Sequence, residues 1–228
     1  MSARPLALVT GASRGIGAET ARALADTHDV LLGGRDVDVL GKLAAELPGA
    51  RPWPVELTDP AAVAAAIRPI ERLDVLVHSA GVALLGPLAD TSIDVWRDTL
   101  QLNVIAVAEL TRLLLPALRA AAGRVVLVNS GQGQHASAGW GAYAASKFAL
   151  RAYADVLRAE EAEHGLRVTS VFPGRTNTDM QREVRAAEGG EFEPDLYLRA
   201  RSVATAIRFA VNAPPDAQVP ELVVRPAP

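Results

Sequence analysis

Apolar residues fall in short, mostly apolar runs along this chain, separated by longer stretches in which they recur every three or four positions. The runs lie at 6–10, 30–33, 51–57, 74–78, 124–129, 167–172 and 221–225. They are too short for helices and rich in Val and Leu. Their continuity, in place of an alternating pattern, is that of strands covered on both faces. Between them, sets such as Ala18, Ala21, Leu24, Ala25 and Val39, Leu40, Leu43, Leu47 have the helical period. The longest helical patterns cover 93–121 and 142–163; Pro116 inside the first predicts a kink or an early end, because proline removes a helix hydrogen bond. Seven strands alternating with helices predict an α/β fold: a doubly wound parallel sheet with helices on both faces. No repeat, linker or low-complexity tract divides the chain, so one domain over 1–228 is expected.

Composition narrows the function more than the fold. With 50% apolar and 21% charged residues, the chain is neither disordered nor fibrous. Its 23 Lys+Arg against 26 Asp+Glu, net −3, give no concentrated basic surface for nucleic acid or an anionic membrane. Cysteine is absent, which excludes disulfides, thiolate metal sites and cysteine nucleophiles. The four histidines, His28, His78, His135 and His164, show no spacing of a helical metal pair, so no metal is expected. The apolar runs fall well short of the roughly 18 residues that cross a bilayer, and the first residues lack a secretory pattern. A full-length cytoplasmic protein is the expectation.

The first strand runs directly into Thr10-Gly11-Ala12-Ser13-Arg14-Gly15-Ile16-Gly17 and then a helix. Free amides and the helix dipole at such a turn attract phosphate. Gly11 permits the turn, Gly15 lets backbone approach a pyrophosphate, and Gly17 lets the helix pack on the strand. The spacing, G-x-x-x-G-x-G, differs from the common G-x-G-x-x-G fingerprint. The second strand ends at Gly33-Gly34-Arg35-Asp36, where an acid would bind ribose hydroxyls and repel a 2′-phosphate. Gly34 is no acid, whereas Arg35 and Arg14 offer positive charge to phosphate, so NADP is the expected cofactor. Asp36 and Asp38 stand where the ribose-binding acid is often found, but Asp36 also fits an N-cap and Asp38 a helix first turn.

A second constellation is Tyr143-Ala144-Ala145-Ser146-Lys147. A separation of four puts Tyr143 and Lys147 on one helix face. Only Lys42 and Lys147 are lysines among the basic residues, so this lysine does not reflect a lysine-rich surface. An adjacent ammonium and an oxidised nicotinamide would favour phenolate, moving Tyr143 down toward neutrality as a general acid or base. Ser130, at the end of the fifth strand, offers a hydroxyl to the substrate oxygen, and Asn103 a link in a proton relay through water.

With these motifs in order, the whole chain resembles a short-chain dehydrogenase/reductase of the single-domain branch, with a Rossmann-type sheet. Thr10 to Gly17 is similar to the family's T-G-x-x-x-G-x-G, and Tyr143 to Lys147 to its Y-x-x-x-K; Ser130 and Asn103 fall at its other catalytic positions. Pro173-Gly174 with Thr176 and Thr178 resembles the segment that closes over nicotinamide and pyrophosphate. The resemblance implies hydride transfer between NADP(H) and a carbonyl or secondary alcohol. Tyr143 would exchange the proton, Lys147 bind nicotinamide ribose and lower the tyrosine pKa, Ser130 hold the carbonyl, and Asn103 hold the water linking Lys147 to solvent. Two positions depart from the pattern. His78-Ser79-Ala80-Gly81 stands for Asn-Asn-Ala-Gly, and Glu56 before Leu57 stands for Asp near adenine; backbone contacts at Leu57, Ala80 and Gly81 are expected to persist.

Competing readings have weaker support. Asn129-Ser130-Gly131 is not the G-x-S-x-G elbow of a serine hydrolase despite nearby His135, and epimerases of the extended branch resemble a different glycine spacing. An NADP-sensing protein without turnover is the alternative of another class. His135, Gln132, Gln134 and Trp140 either line a substrate mouth or are plain loop residues. Residues 175–200, with Met180, Phe192 and Tyr197, have the composition of a lid with apolar contacts or of a surface excursion. The resemblance also implies a homodimer or homotetramer, with Leu113, Leu114, Phe148, Leu150 and Val156 available to an interface.

Overall fold

The computed structural model describes residues 4–227. In chain order its strands are β1 (Leu6–Val9), β2 (Asp29–Gly34), β3 (Ala50–Pro54), β4 (Val75–His78), β5 (Arg124–Val128), β6 (Arg167–Pro173), β7 (Thr176–Asn177), β8 (Leu198–Arg199) and β9 (Glu221–Val224). The helices are α1 (Gly15–Leu24), α2 (Val37–Glu46), α3 (Pro60–Ile67), α4 (Ile93–Leu100), α5 (Ala106–Ala121), α6 (Gly141–Glu160), α7 (Asp179–Ala187) and α8 (Ala200–Val211). Seven parallel strands form one sheet in the order β3-β2-β1-β4-β5-β6-β9.

Side-chain alternation along the strands feeds two cores. Ala7, Val9, Val30, Leu32, Val75 and Val77 face α1, α2 and α8, where Ala21, Leu24, Leu40, Val203 and Ile207 meet them. Leu8, Leu31, Leu76, Val125 and Leu127 face the opposite layer, built from α3, α5 and α6 through Val63, Leu110, Leu114, Leu118, Leu150 and Leu157. Such two-sided burial explains the mostly apolar runs. The chain reaches one edge at β3 and returns to β4 on the other side of β1. The strand order therefore reverses at β1/β4, where a crevice opens beyond the carboxyl ends of the strands.

Three local expectations change. Helix 93–121 is interrupted at a π-type turn over Gln101–Ile105, and α5 continues through Pro116 to Ala121. Pro116 lies on the exposed side next to buried Ala117 and Leu118, so water can satisfy the carbonyl it leaves without a partner. The third strand ends at Pro54; Val55 N–H still donates to the Gly34 carbonyl (2.9 Å), but Glu56 and Leu57 lie in the loop before α3. That loop closes on Asp59, which caps α3 through Ala61 N–H and Ala62 N–H, with Pro60 at the first helical position. The third change is the two-stranded β7-β8 ladder, whose strands are too short to show in the apolar pattern.

Candidate active site

The glycine turn is shaped by steric need. Gly11 and Gly15 have φ of +67° and +58°, in the left-handed region that side chains disfavour. A Cβ on Gly17 would stand 2.1 Å from the Gly11 carbonyl oxygen, so only glycine lets α1 start this close to β1. Arg14 occupies the N-cap of α1 without a side-chain cap bond, which leaves the first amides of the helix free to meet an anion. Thr10, buried at the foot of the turn, accepts hydrogen bonds from Ser79 N–H (3.1 Å) and Ala80 N–H (3.2 Å). It therefore ties the loop after β1 to the loop after β4.

This turn forms one end of a cavity of about 560 Å³ lined by Gly11, Ser13, Arg14, Gly15, Ile16, Gly17, Arg35, Glu56, Leu57, Ser79, Ala80 and Gly81. The same cavity continues past Ser130, Tyr143 and Lys147 to Pro173, Gly174, Thr176 and Thr178. Nineteen expected residues thus share one crevice, at the reversal point of the sheet. Asn103 alone lies behind its wall, 1% exposed.

Asn103 sits in the π-type turn, and its side chain is fully engaged. Its Oδ1 accepts from Val82 N–H (2.9 Å), and its Nδ2 donates to the Val82 carbonyl (2.9 Å) and to Ser146 Oγ (3.0 Å). The amide therefore fastens the loop after β4 to α6, a bracing role beyond the one expected from the sequence.

Lys147 is 6% exposed and donates from Nζ to the Val128 carbonyl at 2.9 Å. Its Nζ stands 5.6 Å from the centre of the Tyr143 ring. Burial holds its pKa down to about 8, since the low-dielectric wall disfavours the ammonium. Tyr143 does not follow its expectation. Burial pushes the phenol above its ordinary value, and hydrogen bonding with Ser130 opposes only part of that rise. The protein alone thus keeps Tyr143 protonated, and a lowered value needs the positive nicotinamide that the sequence argument also invoked.

Asn129 is a positioning residue that sequence reasoning passed over. Its Nδ2 donates to the Lys147 carbonyl (3.1 Å) and its Oδ1 accepts from Ser130 N–H (2.8 Å). A buried amide at the end of an apolar strand was the available signal. Ser130 in turn caps the short turn Gly131–Gly133 by accepting from Gln132 N–H.

The charged groups at the adenine end are paired. Arg35 stands 3.6 Å from Glu56 and Arg14 3.5 Å from Asp179. Glu56 spends one oxygen on Thr58 N–H (3.0 Å) and Thr58 Oγ1 (2.8 Å), and these bonds hold its carboxyl below the usual range. Asp36 caps α2 by accepting from Asp38 N–H and Val39 N–H, as its N-cap reading required. On the far side, Thr178 caps α7, and its methyl group packs where a Gly15 side chain would extend. Met180, Gln132, His135 and Trp140 line the cavity, whereas Gln134 turns to Arg225. Phe192 and Tyr197 stack on each other at 5.3 Å, outside the lining.

Residues 5–189 match the family described as short chain dehydrogenase. The chain belongs to the short-chain dehydrogenase/reductase family. It is 35% identical over 201 residues to "Dehydrogenase/reductase SDR family member 7B" of Bos taurus, covering 81% of this chain but 62% of that protein. Among solved structures it resembles the alcohol dehydrogenase of the archaeon Thermococcus sibiricus complexed with 5-hydroxy-NADP. That likeness has a TM-score of 0.88 and 26% identity, over 98% of this chain and 97% of that one. A point variant of actinorhodin polyketide ketoreductase with NADPH also has a TM-score of 0.88 and 26% identity, over 98% of this chain and 96% of that one. NAD(P) is the cofactor typical of this family, and the two structural neighbours named above hold cofactors of that type. Among the described residues no helix is long and apolar enough to cross a membrane.

Proposed function

We propose that the protein is an NADP(H)-dependent reductase or dehydrogenase acting on a carbonyl or secondary alcohol, with Tyr143 as the group that exchanges the proton at the substrate oxygen. The observation that carries this reading is the single crevice joining an uncapped helix N-terminus to half-buried Ser130 and buried Tyr143 and Lys147. The glycine turn fits a pyrophosphate because its amides are free and Cβ atoms are excluded where backbone must come close. Gly34 leaves no carboxylate at the tip of β2, and the flanking Arg35 and Arg14 are held by exposed ion pairs of 3.6 and 3.5 Å. Such pairs contribute only about 0–1 kcal/mol, so a 2′-phosphate can draw both guanidinium groups away. The two structural neighbours named above, with NADP-type cofactors, support the same choice.

Bound NADP(H) supplies the hydride. Ser130 holds the substrate oxygen beside Tyr143, and the raised phenol keeps a proton ready to donate as that oxygen gains electrons. Lys147, its pKa held down to about 8 by burial, holds charge behind the ring. Asn103 and Asn129 act as positioning residues by fixing the loop after β4 and the Ser130–Lys147 separation. The exposed Phe148 and Val156 of α6 support a homo-oligomer.

The test is oxidation of NADPH and of NADH across a carbonyl panel, with wild type, Tyr143→Phe and Arg35→Ser in parallel. The expected result is turnover with NADPH, reduced about a hundredfold or more in Tyr143→Phe with NADPH binding retained, and a narrower NADPH preference in Arg35→Ser. NADPH binding without turnover of any carbonyl would favour a sensor; a wild-type preference for NADH would overturn the Arg35 assignment.

A further inference from the structure

Arg225 follows β9, the outermost strand beside β6, and lines the same crevice as Ser130. It stands at the carboxyl edge of the sheet, where the loops after β5 and β6 also end. A Cβ on Gly131 would meet its Nη2 at 3.4 Å, and one on Gly174 would meet its Cδ at 3.4 Å. The arginine therefore bridges the serine loop and the Pro173-Gly174 loop, with its guanidinium lying close over Gly131.

The way it is held distinguishes it from the other cations of the crevice. Arg14, Arg35 and Arg175 each face a carboxylate, of Asp179, Glu56 and Glu188, and Lys147 is buried behind Tyr143. Arg225 is exposed and anchored by neutral oxygens: Nη1 donates to the Phe172 carbonyl (2.8 Å) and the Val224 carbonyl (3.5 Å), and Nη2 to Gln134 Oε1 (3.1 Å). Among the described residues no carboxylate stands at ion-pair distance from it. A guanidinium has five N–H donors in a planar fork, and these anchors fix its plane while leaving donors over. A planar cation with its orientation set and its charge uncompensated is matched to a carboxylate, which binds such a fork through two parallel hydrogen bonds.

We propose that Arg225 selects carbonyl substrates that also carry a carboxylate, an oxo acid or the corresponding hydroxy acid. This rests on the reductase reading above. Hydride and proton exchange proceed at the carbonyl held by Ser130 and Tyr143, while Arg225 holds the carboxylate at the far edge and takes no part in the bond changes.

Calorimetric titration separates this inference from the reductase reading. Pyruvate and levulinate, each beside its methyl ester, are titrated into wild type, Arg225→Gln and Arg225→Lys, with and without saturating NADP+. In the oxidised complex no turnover occurs, so the readout is binding alone. The expected result is a wild-type preference for at least one acid over its ester of about ten- to a hundredfold, the range of a charge-assisted hydrogen-bonded pair. Arg225→Gln abolishes it, Arg225→Lys restores part of it, and ester affinity is equal in all three, which a structural defect would not permit. Equal binding of acid and ester by wild type, no binding of either acid, or a preference retained in Arg225→Gln overturns the proposal. If the preference is present but NADPH reduces none of these carbonyls, the reductase reading fails and the anion site stands. If NADPH reduces neutral carbonyls and the preference is absent, the reverse holds.

Discussion

Lys147 reaches its carbonyl partner only by giving up water, and that exchange has a pH signature. Its pKa of about 8, against 10.5 for the ordinary side chain, means that between these values the unfolded chain binds more protons than the folded one. Stability contributed through this group therefore rises with pH across that window, and the cost is fully present below about pH 8. The shift corresponds to roughly 3 kcal/mol. In Lys147→Met, which removes the charge but keeps the stem, the window should vanish. Denaturant unfolding of both proteins at pH 7 and pH 10.5 is the measurement. The expected outcome is that wild type gains on the variant by most of that amount at the higher pH, and a pH-independent difference would contradict a depressed lysine. Tyr143 has the opposite sign: its raised value favours the folded state until pH exceeds 10 and then withdraws that support. The Tyr143–Lys147 pair is thus held with the phenol protonated and the ammonium weakened, an order that composition alone does not reveal because both shifts come from burial.

At the level of elements, α2 decides how its first acid is read. Asp36 accepts from two backbone amides at the N-terminus, so Asp36→Ala should lower unfolding free energy by about 1 kcal/mol, the usual worth of an N-cap. It should leave the NADPH-to-NADH ratio unchanged. A thermal melt with the two cofactor titrations checks both, and a change in the ratio would return Asp36 to the ribose. This cap was legible because N-cap chemistry is local, and so were the strands, whose two-sided burial is written as runs rich in Val and Leu. The Tyr143–Lys147 spacing was legible for the same reason, since one helical turn fixes it. The π-type turn was not, because it is a mismatch between α4 and α5 that serves contacts of Asn103 with Val82 and Ser146, 21 and 43 residues away. Continuation through Pro116 depended on which side of α5 faces water. The ties of Arg35 to Glu56 and of Arg14 to Asp179 join loops far apart in sequence, and no local pattern announces them.

On the scale of the whole molecule, α6 has two jobs on opposite sides. One side carries Tyr143 and Lys147 into the crevice and Leu150, Ala154 and Leu157 into the core. The other presents Ala145, Phe148, Ala152, Val156 and Ala159 to solvent, with Phe148 at 43% and Val156 at 53% exposure. Of the residues expected at an interface, Leu114 and Leu150 are spent on the core at 1% and 2% exposure and Leu113 is half-buried against it, which leaves Phe148 and Val156 with the small alanines as the available stripe. Asp155 and Glu160 are exposed on the same helix, so the apolar part is a stripe and not the whole outer face, and small residues along such a stripe let a second helix approach closely. A homo-oligomer paired through α6 is the expected state: wild type should sediment at a multiple of 23.9 kDa, with a Tm that rises with protein concentration, since association stabilises by mass action. Ala152→Glu with Val156→Glu places two charges on that stripe, away from the side that carries Tyr143 and Lys147. The double variant should sediment as a monomer with a concentration-independent Tm while keeping its cofactor titration. A wild type that is monomeric at micromolar concentration would refute the pairing, and an unchanged oligomer in the double variant would move the interface off α6.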